Sequence, residues 1–310
     1  MPTNSEVVKI KTLLNVFAAF GAAAVALPAV AALNVVACEP EWAALAQELA
    51  GDQASVSSAT TALQDAHRIE ARPSLIARIR SADLVICSGA ELEIGWLPLL
   101  LTQSGNGRVQ PGSPGYLEAS QFVVRLEIPK VIDRALGDFH PSGNPHIHLD
   151  PRNIAKVAEV ITERLARLDP ANADAYKARA HSFQERWRAA MQRWEREAAP
   201  LRGIPIVVYH KDMSYLLHWL DMREAGSLEP KPGLPPTPAH LAELVERIQR
   251  NPAKAVVYSP YNSPRAAQFL SERTGIPAVM MPFTVGGTDK AKDLFGLFED
   301  TIARLLAIAK

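Results

Sequence analysis

Eight histidines, at positions 67, 140, 146, 148, 181, 210, 218 and 240, are the side chains of this sequence best suited to chemistry. Neutral imidazole is a common metal ligand and suits zinc. Three of the eight stand where a strand pattern ends or a loop meets a helix. His67 follows a short strand and the polar stretch 60–66. His146 lies in Gly143-Asn144-Pro145-His146-Ile147-His148-Leu149-Asp150-Pro151, just ahead of a helix. His210 directly follows Ile206-Val207-Val208-Tyr209. Three nitrogens and a carboxylate complete a tetrahedron around zinc. The expected carboxylate is Asp289, in the glycine-rich Thr284-Val285-Gly286-Gly287-Thr288-Asp289. Asp293, one helical turn on, is the alternative unless it serves the N-terminus of the last helix, and water is a third. His148 is two residues from His146, so on an extended chain both rings point to one side; the preceding Asn144-Pro145 favours His146. His140 is placed to guard the site or assist transfer. His181, His218 and His240 fall in helical stretches and read as solvated or structural.

These histidines need elements to carry them. Residues 33–38, 56–59, 84–87 and 122–128 read as strands, with helices at 41–50 and 73–81 between them and an amphipathic helix at 151–168. Residues 204–209, 255–258 and 278–281 repeat the rhythm, with helices at 213–220, 238–249, 264–274 and 293–309. Alternating strands and helices predict an α/β fold with parallel sheets flanked by helices. Residues 169–199 lack glycine and space Tyr176, Ala180, Phe183, Trp187, Met191 and Trp194 three or four apart, as one long helix requires. The expected division is a first lobe at 32–168, a connecting helix at 169–200 and a second lobe at 201–310. Ligands of open α/β sheets bind beyond the carboxyl ends of the strands. His67 and His146 from one lobe and His210 from the other would therefore meet in the cleft between lobes.

The first 31 residues differ from the rest. Lys9 and Lys11 precede an uncharged, alanine-rich run that ends in Ala29-Val30-Ala31, the pattern of a secretory leader. The reading is export to the periplasm with cleavage near Ala31. The two cysteines, Cys38 and Cys87, each close a short apolar strand pattern, and in an oxidising compartment they either bridge or remain buried thiols. The chain has 33 basic and 33 acidic residues, and this balance gives no basic excess for nucleic acid or an anionic membrane. HExxH, GxSxG, GxGxxG and Walker-type motifs are absent from the sequence. Three histidines and a water would also make a hydrolytic site. A periplasmic zinc-dependent hydrolase is thus the competing class, with Glu91 or Glu93 as its base, although that segment reads better as a packed turn anchored by Trp96. An adhesin stabilised by a structural metal is a third reading.

The leader, the histidine after the second strand, Asn144-Pro145-His146 followed by Leu149-Asp150-Pro151, Tyr209-His210 and the long middle helix together resemble the metal-binding substrate-binding proteins of zinc and manganese ABC importers, the ZnuA/TroA-like family. Within it the chain is most similar to the AztC-like branch, through 91–98, Gly143-Asn144-Pro145-His146, 229–233 and 282–287. The resemblance covers about residues 33–310. It implies two Rossmann-like lobes joined by a rigid helix, ligands His67, His146 and His210, and a late aspartate as the fourth. It further implies a monomeric non-enzyme that carries Zn2+, with Mn2+ second in rank, to an ABC permease and its ATPase. A periplasmic zinc chaperone is a further expected partner.

Overall fold

The computed structural model describes residues 32–129 and 140–309, so the leader expected at 1–31 lies outside the described residues. Leu33–Ala37 forms β1, an apolar strand buried on both faces, as a strand covered by helices on either side must be. Parallel strands cannot be joined by a hairpin. The helix α1 (Pro40–Ala50) therefore carries the chain to β2 (Ala54–Ser58), and α2 (Pro73–Ser81) carries it to β3 (Leu84–Cys87). After α3 (Leu97–Ser104), β4 (Tyr116–Glu118) completes a parallel sheet of order β2-β1-β3-β4. The chain then runs through α4 (Pro151–Leu168) and α5 (Ala173–Glu197). The second sheet is built the same way from β5 (Pro205–Val208), α6 (Ser214–Leu220), β6 (Arg223–Ser227), α7 (Pro238–Arg250), β7 (Val256–Tyr258), α8 (Arg265–Thr274) and β8 (Ala278–Met280). Its order, β6-β5-β7-β8, repeats that of the first, and α9 (Leu294–Ala309) closes the chain. The architecture is the two-lobe α/β fold expected from the alternation of strands and helices.

Two expectations need correction. The fourth strand of the first lobe is Tyr116–Glu118, in register with Val85–Cys87, and the apolar stretch 122–128 is not a strand. Only Val123 and Leu126 of that stretch pack on the core; Val124 is 74% and Ile128 57% exposed, and Glu127 takes a positive φ that interrupts extended backbone. The short strand β6, Arg-Glu-Ala-Gly-Ser, carries too little apolar character to show in the sequence.

The connecting helix is a buried spine. Its 25 residues span about 38 Å at the helical rise. Tyr176, Phe183, Trp187, Ala190 and Trp194 form its inner stripe. Trp187 donates its indole N–H to the Pro151 carbonyl at the start of α4 and packs against Phe295 and Phe298 of α9. One hydrophobic core consequently runs from Trp42 and Leu45 of α1 through α4 and α5 to Phe298 and Leu305 of α9. Separate smaller cores cover the outer face of each sheet. A polar bridge beside the main core also joins the two halves. Glu41 of α1 faces His148 Nδ1 at 3.1 Å and accepts a 2.5 Å hydrogen bond from Thr284, while His148 donates from Nε2 to the Phe283 carbonyl.

Candidate metal centre

His67 sits on the loop between β2 and α2. Asp65 Oδ1 accepts two hydrogen bonds from it, from the His67 backbone N–H at 3.0 Å and from ring Nδ1 at 2.7 Å. His146 is held by the same device two residues after Asn144. Asn144 Oδ1 accepts from the His146 backbone N–H at 3.0 Å and from its Nδ1 at 2.9 Å. In both cases a side-chain oxygen closes a local turn and fixes the ring in one motion. The Asn144 amide then donates to the carbonyl of Lys211, the residue after His210, at 2.7 Å. His210 leaves the end of β5, and its Nδ1 lies 2.7 Å from Glu229 Oε2. Glu229 Oε2 also accepts from the Gly233 N–H, so the 229–233 loop is wrapped on the same carboxylate.

Each Nδ1 thus has an acceptor. The ring proton belongs on Nδ1, and the Nε2 lone pair is left for a ligand, the usual arrangement of metal-binding histidines. One ligand nitrogen from each of His67, His146 and His210 lies within 4.8 Å of the others. The ring centroids form a nearly equilateral triangle, with sides of 5.4, 5.4 and 5.5 Å. Imidazoles bound through Nε2 to one tetrahedral zinc, at about 2.0–2.1 Å per bond, have centroids roughly 5.2 Å apart. The residues present therefore fit such an ion with small adjustments.

The electrostatics differ from ring to ring. Burial, then the neighbouring rings of His67, His210, His140 and His148, hold His146 well below the usual imidazole pKa and keep it neutral. Burial also opposes ionisation of Asp65, but hydrogen bonds from His67 and its proximity outweigh it and leave the carboxyl below its usual range. For His210, burial disfavours the charged form. The Glu229 hydrogen bond, with Asp212 and Asp65 nearby, reverses the balance and raises its pKa.

The structure does not bring Asp289 to the three histidines. Asp289 is exposed and lines a separate hollow with Lys290, Lys292, Glu299 and Asp300. Asp293 Oδ1 accepts from the Gly296 N–H and caps the start of α9. The reason is local: Gly286 N–H bonds to the Ala291 carbonyl and Thr288 to Asp300, which folds the loop onto α9 and away from the cleft. A fourth imidazole stands nearer. His140 Nε2 lies 3.3 Å from His67 Nε2, and its ring centroid is 5.3 Å from that of His67 and 6.3 Å from that of His146. His148 is turned away into the inter-lobe bridge. Asp65 and Glu229 were not singled out in the sequence as partners of the histidines, and Asn144 was read only as favouring His146, although Asp65-Ala66-His67 and Asn144-Pro145-His146 carry a shared signal, an acceptor two residues before the histidine.

Residues 35–307 match the family model of ZnuA, the periplasmic component A of zinc-uptake complexes. The chain is 23% identical over 234 residues to a zinc-binding lipoprotein, AdcA, of Streptococcus pneumoniae; the match covers 74% of this chain and 46% of that relative, so the chain spans about half of its length. It is 25% identical over 223 residues to the high-affinity zinc uptake system protein ZnuA of Yersinia pestis, covering 68% of this chain and 70% of that one. A manganese ABC transporter substrate-binding lipoprotein of Streptococcus gordonii is 24% identical over 270 residues, with 84% and 83% covered. Among solved structures, a crystal structure of ZnuA superposes with a TM-score of 0.73 at 21% identity, over 88% of this chain and 99% of that chain. A manganese-bound periplasmic metal-binding protein from candidatus liberibacter asiaticus gives 0.71 at 17%, over 89% and 99%. The match over nearly all of the described residues places this chain in the ZnuA family, whose members are substrate-binding transport proteins and not enzymes.

Proposed function

We propose that this protein captures Zn2+ in the cleft between its lobes, in the periplasm, and delivers it to the permease of an ABC importer driven by an ATPase. The observation that carries the reading is the triangle of His67, His146 and His210, drawn from three separate stretches of chain, with every Nδ1 already engaged and the three ligand nitrogens together. Zinc is chosen over manganese because the cluster is made of nitrogen, and manganese prefers carboxylate and water oxygens. The fourth ligand in this reading is His140 and not Asp289. Two nitrogens of a tetrahedral zinc are about 3.3–3.4 Å apart, which matches the 3.3 Å between the Nε2 atoms of His67 and His140. The leader at 1–31 directs export, and the ion is cargo, held by neutral rings and released without any covalent change. Relatives named for zinc and for manganese make selectivity the point to test. Titration of the apo protein with zinc, in competition with a chelator and then with manganese, is expected to give one tight zinc site that His210→Ala abolishes. Equal preference for manganese, or unchanged zinc affinity in His210→Ala, would refute the reading.

A further inference from the structure

A second group of metal-capable side chains lies apart from the three histidines. The neighbouring strands β1 and β3 place Cys38 and Cys87 at their carboxyl ends, with Cα atoms 4.8 Å apart and a disulfide between them. The two sulfurs and one carboxylate oxygen of Glu93 lie within 4.8 Å of one another, and all three residues are buried. Glu39 is equally buried, and its carboxyl lies beside that of Glu93, both bonded to the Ser88 N–H. Glu39 Oε1 has no hydrogen-bond partner among the described residues.

The backbone is shaped around these carboxyls. Glu93 Oε1 accepts from the Ser88 N–H at 2.8 Å, and both of its oxygens accept from the Gly89 N–H. Gly89 has a φ of +74°, and a Cβ there would meet Glu118 and Ser120 at 2.8 Å, so only glycine fits that turn. Glu39 Oε2 accepts from Ser88 Oγ, which in turn accepts from the Trp42 indole. The charges acting most strongly on Glu39 are carboxylates, those of Glu93 and Glu41, which with burial raise its pKa and keep its proton on. The spot also has a topological meaning. In the order β2-β1-β3-β4 the connections diverge between β1 and β3, and the crevice at such a switch point is where open α/β sheets hold ligands.

Two thiolates and a carboxylate are a zinc-type donor set. We propose that reduction of the Cys38–Cys87 disulfide opens a second, buried site for a thiophilic divalent cation, held by the Cys38 and Cys87 thiolates and the Glu93 carboxylate. An external dithiol supplies the two electrons. Its own sulfurs join, the protein S–S bond breaks, and Cys38 and Cys87 each take up one of its protons. The cation then displaces those two protons to solvent and forms two bonds to sulfur and one to Glu93. In the oxidised chain the sulfurs are bonded to each other and the site does not exist. The redox state of one bridge therefore sets how many ions the protein carries.

Cobalt(II), a spectroscopic stand-in for zinc, tests this on the full chain before and after reduction with a non-coordinating phosphine. The reduced protein is expected to take up one more equivalent than the oxidised one, with a sulfur-to-cobalt charge-transfer band that the oxidised protein lacks. Replacing both cysteines by serine should remove the extra equivalent and the band. An unchanged equivalence on reduction overturns the proposal. So does an extra equivalent bound with unaltered affinity in Glu93→Gln, and so does loss of far-ultraviolet circular dichroism on reduction, which would mean the sheet does not hold the thiols in place. The difference between the two redox states is read directly, so it stands even if the cleft itself binds no cobalt.

Discussion

The paired acceptors Asp65 and Asn144 allow a test in which the protein supplies its own control. If their task is to aim a ring, then removing the oxygen should harm binding, and exchanging carboxylate for amide should not. Asp65→Ala deletes the 2.7 Å contact to His67 Nδ1 and the 3.0 Å contact to its backbone N–H. Partners that orient metal-binding histidines are typically worth 10–100-fold in affinity, or about 1.4–2.7 kcal/mol. Asp65→Asn keeps an oxygen of the kind that already serves His146 and loses only the charge. Asp65 is 37% exposed, so water screens that charge, and the further loss should be about 1 kcal/mol or less, at most some fivefold. Zinc dissociation constants from chelator competition at fixed pH would give the ordering wild type, then Asp65→Asn close behind, then Asp65→Ala far below. Asn144→Asp and Asn144→Ala should reproduce the pattern at His146. The orientation argument fails if Asp65→Ala binds within twofold of wild type, or if Asp65→Asn is as damaging as Asp65→Ala.

Other outcomes are also expected. His140→Ala should weaken zinc by roughly tenfold or more through loss of one nitrogen of four, and X-ray absorption of the zinc-loaded protein should show one fewer imidazole; an unchanged spectrum would remove His140 from the shell. Trp187→Ala empties the centre of the spine and should lower unfolding free energy by about 3–5 kcal/mol, read as a shift in denaturant midpoint, with Trp187→Phe milder. Burial raises Glu93 from 4.5 to about 7. A carboxyl raised on folding favours the folded state at low pH, and that contribution is lost as pH climbs through the folded value. Stability carried by Glu93 should thus be largest below about pH 4.5 and decline towards pH 7, by up to about 3 kcal/mol. Glu93→Gln should flatten the thermal-stability profile across that window, and an identical slope in both proteins would refute the assignment.

Much of this was readable before the fold was known, for reasons that differ by element. Strands such as Leu33–Ala37 and Leu84–Cys87 announce themselves because both faces are buried and nearly every residue is apolar, the exposed Asn34 apart. The amphipathic helix at 151–168 was placed with its ends correct because Asp150 caps it and Pro151 opens it. The apolar stretch 122–128 misled because hydrophobicity alone does not say whether a partner exists to cover it. His67, His146 and His210, which the structure brings together, stand out in the sequence by their position after strands and before helices. Asp289 was selected on composition, but the direction of its loop is fixed by contacts to α9, such as Thr288 to Asp300, that no local pattern encodes. His140 was expected to guard the site or assist transfer, and its approach to His67 joins residues 73 apart in sequence, which no local pattern encodes. The bridge between Cys38 and Cys87 was open until the register of β1 on β3 put the two chain ends side by side.

The unbroken core along α5 limits how cargo can leave. Phe183, Trp187, Trp194 and Phe298 are all at least 99% buried where α5 meets α9. Prising that seam apart would wet four aromatic side chains, at about 2 kcal/mol each. An equilibrium opposed by roughly 8 kcal/mol populates the parted form about once per million molecules. A clamshell gape is therefore too rare to time the unloading of an ion. On the proposed function, departure begins at a small piece of chain, the 229–233 loop on Glu229, whose withdrawal frees His210 while the spine stays shut.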